Sequence, residues 1–138
     1  MSEFLEFAAN HWLLIAGIIG VFILIVMEEI TAFSGSKYML DPEAAAIFIQ
    51  KGGKIIDIRD KEYYNQGHLT DAKWVKYETI INKPETIISK DGKTLIYCDS
   101  GTKSAELSEL LRSKHGFKVH FIEGGLNSWK ESGFTVKK

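Results

Sequence analysis

The chain is poor in the residues that staple or interrupt small folds. Its 138 residues include one cysteine and two prolines. A single thiol excludes an internal disulfide and a CxxC redox couple. One cysteine and four histidines (His11, His68, His115, His120) give no zinc-type ligand spacing, so no metal and no cofactor is called for. There is no internal repeat, no low-complexity tract and no basic stripe. With a formal net charge of −1, the composition argues against a nucleic-acid partner. The length allows one modest domain plus an appendage.

Basic charge is almost absent from the first quarter. Residues 1–37 carry one basic side chain, Lys37, against Glu3, Glu6, Glu28 and Glu29. Of the 17 basic and 18 acidic side chains, 16 and 14 therefore fall in residues 38–138, a net of +2 there. From Phe7 to Met27, 21 residues carry no formal charge, and Trp12 to Met27 is unbroken apolar or glycine. As a helix this stretch would span roughly 31 Å, close to the hydrocarbon thickness of a bilayer. Trp12 suits an interfacial anchor, and Gly17 and Gly20 are ordinary in a membrane helix. Residues 1–11 lack the basic n-region of a signal peptide, and no small-x-small cleavage site follows Met27. A helix apolar all round would need a far larger protein to bury it.

The expectation is therefore a single-pass membrane protein contacting the lipid bilayer through residues 7–27. The transmembrane helix occupies residues 1–29, a short linker residues 30–37 and the soluble domain residues 38–138. Ser34-Gly35-Ser36 would make the linker flexible. The absence of basic residues before the span and the lysines after it (Lys37, Lys51, Lys54) favour a cytoplasmic domain.

The rest of the chain alternates strand and helix signals. Tyr38–Leu40 reads as a brief strand, and Asp41-Pro42-Glu43 as a helix start with N-cap, N1 proline and first-turn acid. That helix should bury Ala45, Phe48 and Ile49 and stop at Gly52-Gly53. Lys54–Ile58, Lys73–Val75, Thr94–Tyr97 and Lys118–Ile122 read as further strands. A helix over Lys103–His115 should turn Leu107, Leu110 and Leu111 inward and end at Gly116. Residues 78–90 suggest helical turns interrupted near Pro84, and Leu126–Glu131 a short helix around Trp129. This order predicts an α/β fold with a mainly parallel central sheet flanked by helices.

In such a sheet, ligand sites lie at the carboxyl ends of strands, and there the sequence places its only cysteine. Tyr97-Cys98-Asp99-Ser100-Gly101-Thr102-Lys103 runs from strand end through a glycine turn into a helix start. Successive backbone N–H groups and the helix N-terminus make such a loop a cradle for an anion and for a thiolate. Gly101 supplies the loop conformation, while Ser100 and Thr102 offer hydroxyls either to a bound group or to the helix cap.

Three blocks now make the chain resemble the single-domain rhodanese-like sulfurtransferases over about residues 38–136. They are Asp57-Ile58-Arg59 with Glu62-Tyr63 and Gly67-His68-Leu69-Thr70-Asp71-Ala72, then Cys98 with Gly101 and Lys103, then Glu123-Gly124-Gly125 with Trp129. The resemblance implies a rhodanese-like domain in which Cys98 accepts a sulfane sulfur as a persulfide. It passes that sulfur to a nucleophile, with a small sulfur donor or a protein sulfur carrier as partner. The loop from Asp99 to Lys103 would bind the substrate, and Asp57 and Arg59 would brace it. His68 would be part of a structural turn.

Two positions depart from the pattern. Lys103 stands where the family has arginine, keeping the cation but losing the planar fork that grips an oxyanion. Asp99 stands where the family usually has a basic residue. At ~6 Å and an effective dielectric of ~20, its repulsion of an anionic donor would be of order 2–3 kcal/mol before screening. Thiosulfate is then a poor donor, and a neutral persulfide carrier or a protein donor is easier to accommodate. Ser104, where a cysteine phosphatase needs arginine, argues against phosphate chemistry. Two other readings remain open on the sequence. One is a non-catalytic interaction module at the membrane; the other is a redox sensor working through Cys98 sulfenylation.

Overall fold

The computed structural model describes the backbone of residues 1–138 and the side chains of all but residues 31–36. It divides into two units, residues 1–36 and residues 37–138.

The first unit is helical. Helix α1 (Ser2–Asn10) ends at His11, whose φ of −122° and ψ of 31° interrupt the helical run before α2 (Trp12–Ser36) begins. The long apolar helix therefore begins at Trp12, five residues after the Phe7 at which the membrane-contacting stretch was expected to begin. Within α2, Trp12–Ile30 has a mean hydropathy of 2.5 and none of it is buried. It is the one helix among the described residues long and apolar enough to cross a membrane. Its backbone stays helical to Ser36, across most of the stretch expected as a linker. The side chains of Ser34 and Ser36 in that linker lie outside the described residues.

The second unit is built on five parallel strands: β1 (Met39–Leu40), β2 (Lys54–Asp57), β3 (Lys73–Trp74), β4 (Thr94–Tyr97) and β5 (Val119–Ile122). Their order across the sheet is β1-β5-β4-β2-β3. Five helices connect them, α3 (Pro42–Gln50), α4 (Lys61–Gln66), α5 (Tyr77–Asn82), α6 (Pro84–Ile87) and α7 (Thr102–His115), and α8 (Gly125–Glu131) follows β5. Asp41 caps α3 as anticipated, its Oδ1 accepting from Ala44 N at 2.7 Å. Gly116, at φ 69°, ends α7.

Alternation along the strands sends side chains to two cores, one on each face. Ile56, Ile96 and Phe121 pack with Leu107 and Leu111 of α7 and with Ile80 and Ile88. Ile55, Leu95, Tyr97 and Ile122 pack on the other face with Ala45, Leu126 and Trp129. Apolar cover on both faces is why the strands read as continuous hydrophobic runs. Leu107 and Leu111 are fully buried, whereas Leu110 sits only at the margin of its core. The Gly67–Ala72 block folds as a turn. The His68 ring stacks on Tyr64 with centroids 3.9 Å apart, and His68 N donates to Lys137 O at 2.7 Å. Asp71 is the one non-glycine residue with positive φ (66°) among the described residues.

Candidate active site

The strand β4 carries Cys98 just past its carboxyl end, and the chain then turns sharply through Gly101 (φ 88°) into α7. This turn brings two backbone N–H groups onto the sulfur. Gly101 N donates to Cys98 Sγ at 3.1 Å, and Ser104 N approaches the same sulfur at 3.5 Å. The Ser104 hydroxyl lies 3.4 Å from Sγ and 3.1 Å from Gly101 O, to which it donates. Among the described residues, the N–H groups of Asp99, Ser100 and Lys103 have no protein acceptor. Donors without acceptors beside a sulfur with two N–H groups aimed at it stabilise negative charge there.

The loop is held from below by the glycine turn before α8. Leu126 N donates to Cys98 O at 2.8 Å and Asn127 N to Asp99 O at 3.0 Å. The approach is so close that a Cβ on Gly125 would lie 2.3 Å from Cys98 O, and one on Gly101 would lie 3.0 Å from Gly124 N. Only glycine fits at Gly125, which also has φ 62°. The third sequence block, Glu123-Gly124-Gly125 with Trp129, is thus the backing of the cysteine loop.

Asp57 and Arg59 brace the loop from the adjacent strand. Fully buried Asp57 accepts from Arg59 Nη2 at 2.8 Å, from Arg59 N at 2.9 Å and from the Tyr97 hydroxyl at 2.7 Å. Burial alone would lower the Arg59 pKa, but the hydrogen bonds and charge of Asp57 outweigh it and hold the guanidinium firmly protonated. Burial, and then the negative charge of Asp57, push the Tyr97 phenol well above its ordinary range, so it stays a donor.

Arg59 reaches further than bracing requires. Its Nη1 lies 3.2 Å from Asp99 Oδ1, and its Nη2 donates to Gly67 O at 2.5 Å. Asp99 therefore does not stand as an uncompensated charge beside the sulfur. The repulsion anticipated from sequence is opposed by a guanidinium in contact with the carboxylate, and the Asp99 side chain is half exposed to water besides. The register explains the pairing: Asp57 lies opposite Tyr97 in the parallel ladder, so residues two further on, Arg59 and Asp99, meet above it.

Above Cys98 opens a cavity of about 230 Å³, lined by Ile58, Arg59, Tyr63, Asp99, Ser100 and Lys103 among others. Cys98 is 5% exposed, so the sulfur lies at its floor. Lys103 is exposed at the rim. Ser100 and Thr102 are also exposed, and Ser100 Oγ donates to Thr102 Oγ1 at 3.3 Å, so neither hydroxyl touches the sulfur. The hydroxyl that does approach it belongs to Ser104, which sequence reasoning treated only as a missing arginine. Its signal was its place as the third residue of the helix after the glycine turn, where a side chain folds back toward the loop.

A parallel α/β domain with a buried cysteine under an N–H-lined loop at a strand's carboxyl end is the architecture of a sulfur- or anion-handling domain. The comparisons narrow this class. The family model for the rhodanese-like domain matches residues 41–132, two thirds of the chain, and the chain belongs to that family. Its curated relatives include a thiosulfate sulfurtransferase GlpE of Pseudomonas entomophila, 27% identical over 67% of this chain and 84% of that one. A putative sulfurtransferase YtwF of Bacillus subtilis is 32% identical over 55% and 72% of the two chains. An uncharacterized protein of Buchnera aphidicola is 27% identical over all of this chain and 97% of its own, the N-terminal helices included. A rhodanese-related protein of Thermoplasma volcanium superposes with a TM-score of 0.64 at 25% identity, covering 72% of this chain and 96% of that one.

Proposed function

We propose that this protein is a membrane-anchored sulfurtransferase that moves a sulfane sulfur through a Cys98 persulfide to a nucleophilic acceptor. Residues 12–30 serve as its single-pass anchor, and the domain lies on the cytoplasmic side. The observation that carries the reading is the Gly101 N–H, 3.1 Å from Cys98 Sγ at the floor of an open cavity. The thiolate of Cys98 attacks the sulfane sulfur of a donor. As the new S–S bond forms, the donor's own bond to that sulfur breaks, and sulfite or a thiolate leaves with the electron pair. In the second step the acceptor attacks the outer sulfur, and Cys98 leaves as thiolate. Negative charge stays at the loop in both steps, where the N–H groups of Gly101 and Ser104 and the start of α7 stabilise it.

Several features support the finer points. Relatives named as thiosulfate sulfurtransferases favour group transfer over the non-catalytic docking module. That module took its motive from Asp99, whose charge Arg59 now partners. Asp99–Arg59 pairing also restores thiosulfate as an admissible donor beside persulfide carriers. The apolar and unburied surface of Trp12–Ile30, with lysines following it in sequence, supports the anchor and its orientation.

The test uses the full chain in detergent micelles, exposed to thiosulfate or to an alkyl persulfide and read by intact mass. A gain of one sulfur, returned to baseline by cyanide or a thiol, is the expected result. No gain with either donor, or an equal gain in Cys98→Ser, would overturn the reading.

A further inference from the structure

The four adjacent strands β1, β5, β4 and β2 all begin beside a lysine. Lys54 opens β2, Lys93 and Lys118 immediately precede β4 and β5, and Lys37 comes two residues before Met39 of β1. The ladder sets them level, because Lys54 pairs with Thr94, Thr94 with Val119, and Met39 with Phe121 two residues further up. All four side chains are exposed. Strands about 4.8 Å apart make this a row of cations roughly 15 Å long at the amino end of the sheet. Lys51 at the end of α3 and Lys114 in the last turn of α7 add to the same end, since both helices run back against the strands. In the turns that lead into β2, β4 and β5 there is one acid, Asp91, whose carboxylate is occupied by Ser89 Oγ and Lys93 N.

We infer that this basic end docks on anionic phospholipid, holding the domain with Cys98 facing away from the bilayer. The inference rests on the reading of residues 12–30 as a membrane span. Covalent reach alone keeps Lys37 within about 25 Å of Ile30, however the intervening chain is arranged. Within that distance, a row of lysines meets a surface whose negative potential decays over about 10 Å at 0.1 M salt. Cys98 lies past the opposite, carboxyl end of β4, about 13 Å of strand from the lysine row. Donor and acceptor then reach the cysteine as water-soluble species and not by diffusion within the lipid.

The experiment uses the full chain in neutral phosphatidylcholine vesicles and in vesicles containing phosphatidylserine, with flotation followed by lysine acylation read by mass spectrometry. Docking predicts flotation with both vesicles. It also predicts acylation of Lys54, Lys93 and Lys118 slowed about threefold or more by the anionic lipid at low salt, with the protection fading at high salt. Lys61 and Lys103, at the other end of the domain, serve as reference and should not change. Lys93→Glu with Lys118→Glu should remove the protection at Lys54 while leaving flotation intact. Flotation with equal acylation at both ends in both vesicles overturns the docking and leaves the anchor standing. Flotation with the anionic vesicles only, reversed by salt, would show electrostatic binding without a span and overturn the anchor on which the inference rests. Failure to float with either vesicle overturns both.

Discussion

The two sides of the cysteine cradle are built from different materials. The floor is backbone: the N–H groups of Gly101 and Ser104 face the sulfur, and the Gly124–Gly125 turn presses against the loop's own peptides. Beside the floor, Asp57, Arg59 and Tyr97 form a network of which Asp57 is fully buried. The rim is side chains: Asp99, Ser100 and Lys103 reach into water. Buried, fully partnered groups have a single arrangement and are costly to disturb, while exposed charges are screened and move freely. Substitutions on the two sides should therefore differ in kind. Floor changes should remove loop and stability together, and rim changes should tune which donor is preferred.

The largest effect is expected at Arg59→Met. It strands the buried Asp57 carboxylate, a change of the kind that costs about 3–5 kcal/mol, readable as a lowered urea midpoint in tryptophan fluorescence. An unchanged midpoint would remove the floor's network from the account. Next comes Gly125→Ala, whose Cβ would meet Cys98 O at 2.3 Å. Displacing the loop by a fraction of an ångström to an ångström should slow sulfur loading of Cys98 about 10²-fold.

On the rim, Lys103→Ala should raise the KM for thiosulfate several-fold at low salt and about twofold or less at high salt, with kcat little changed. Asp99→Asn should have the smallest effect. Because Arg59 already partners the carboxylate, the change in thiosulfate kcat/KM should stay within about fivefold, against roughly 30–150-fold for an unopposed charge of 2–3 kcal/mol. A rise of the larger size would mean the Asp99–Arg59 pair does little in solution.

The difference between floor and rim also marks how far the sequence could be read. The strand–glycine–helix signature of the Cys98 loop, the N-cap at Asp41 and the stop at Gly116 depend on neighbours in sequence, so they were legible there. The Arg59–Asp99 contact was not. It joins residues 40 apart and exists only because β2 lies beside β4 with Asp57 opposite Tyr97. Asp99 therefore read as an isolated negative charge. Ser104 was likewise misjudged because its importance lies in which way a helix side chain folds back. In the first unit, the apolar run was plain, but its division at His11 had no proline or glycine to announce it. Ser34-Gly35-Ser36, read as a flexible linker from composition, carries helical backbone.

The sharpest contrast between floor and rim is the double variant Asp99→Asn with Lys103→Ala, loaded with an uncharged disulfane-type sulfur donor and followed by intact mass beside Cys98→Ser. If the backbone floor stabilises the persulfide, the double variant takes up one sulfur at a rate within about tenfold of the unaltered chain, as expected for losing only screened surface charges. A double variant as inert as Cys98→Ser would show that the side-chain rim, and not the N–H groups at the floor, holds the sulfur.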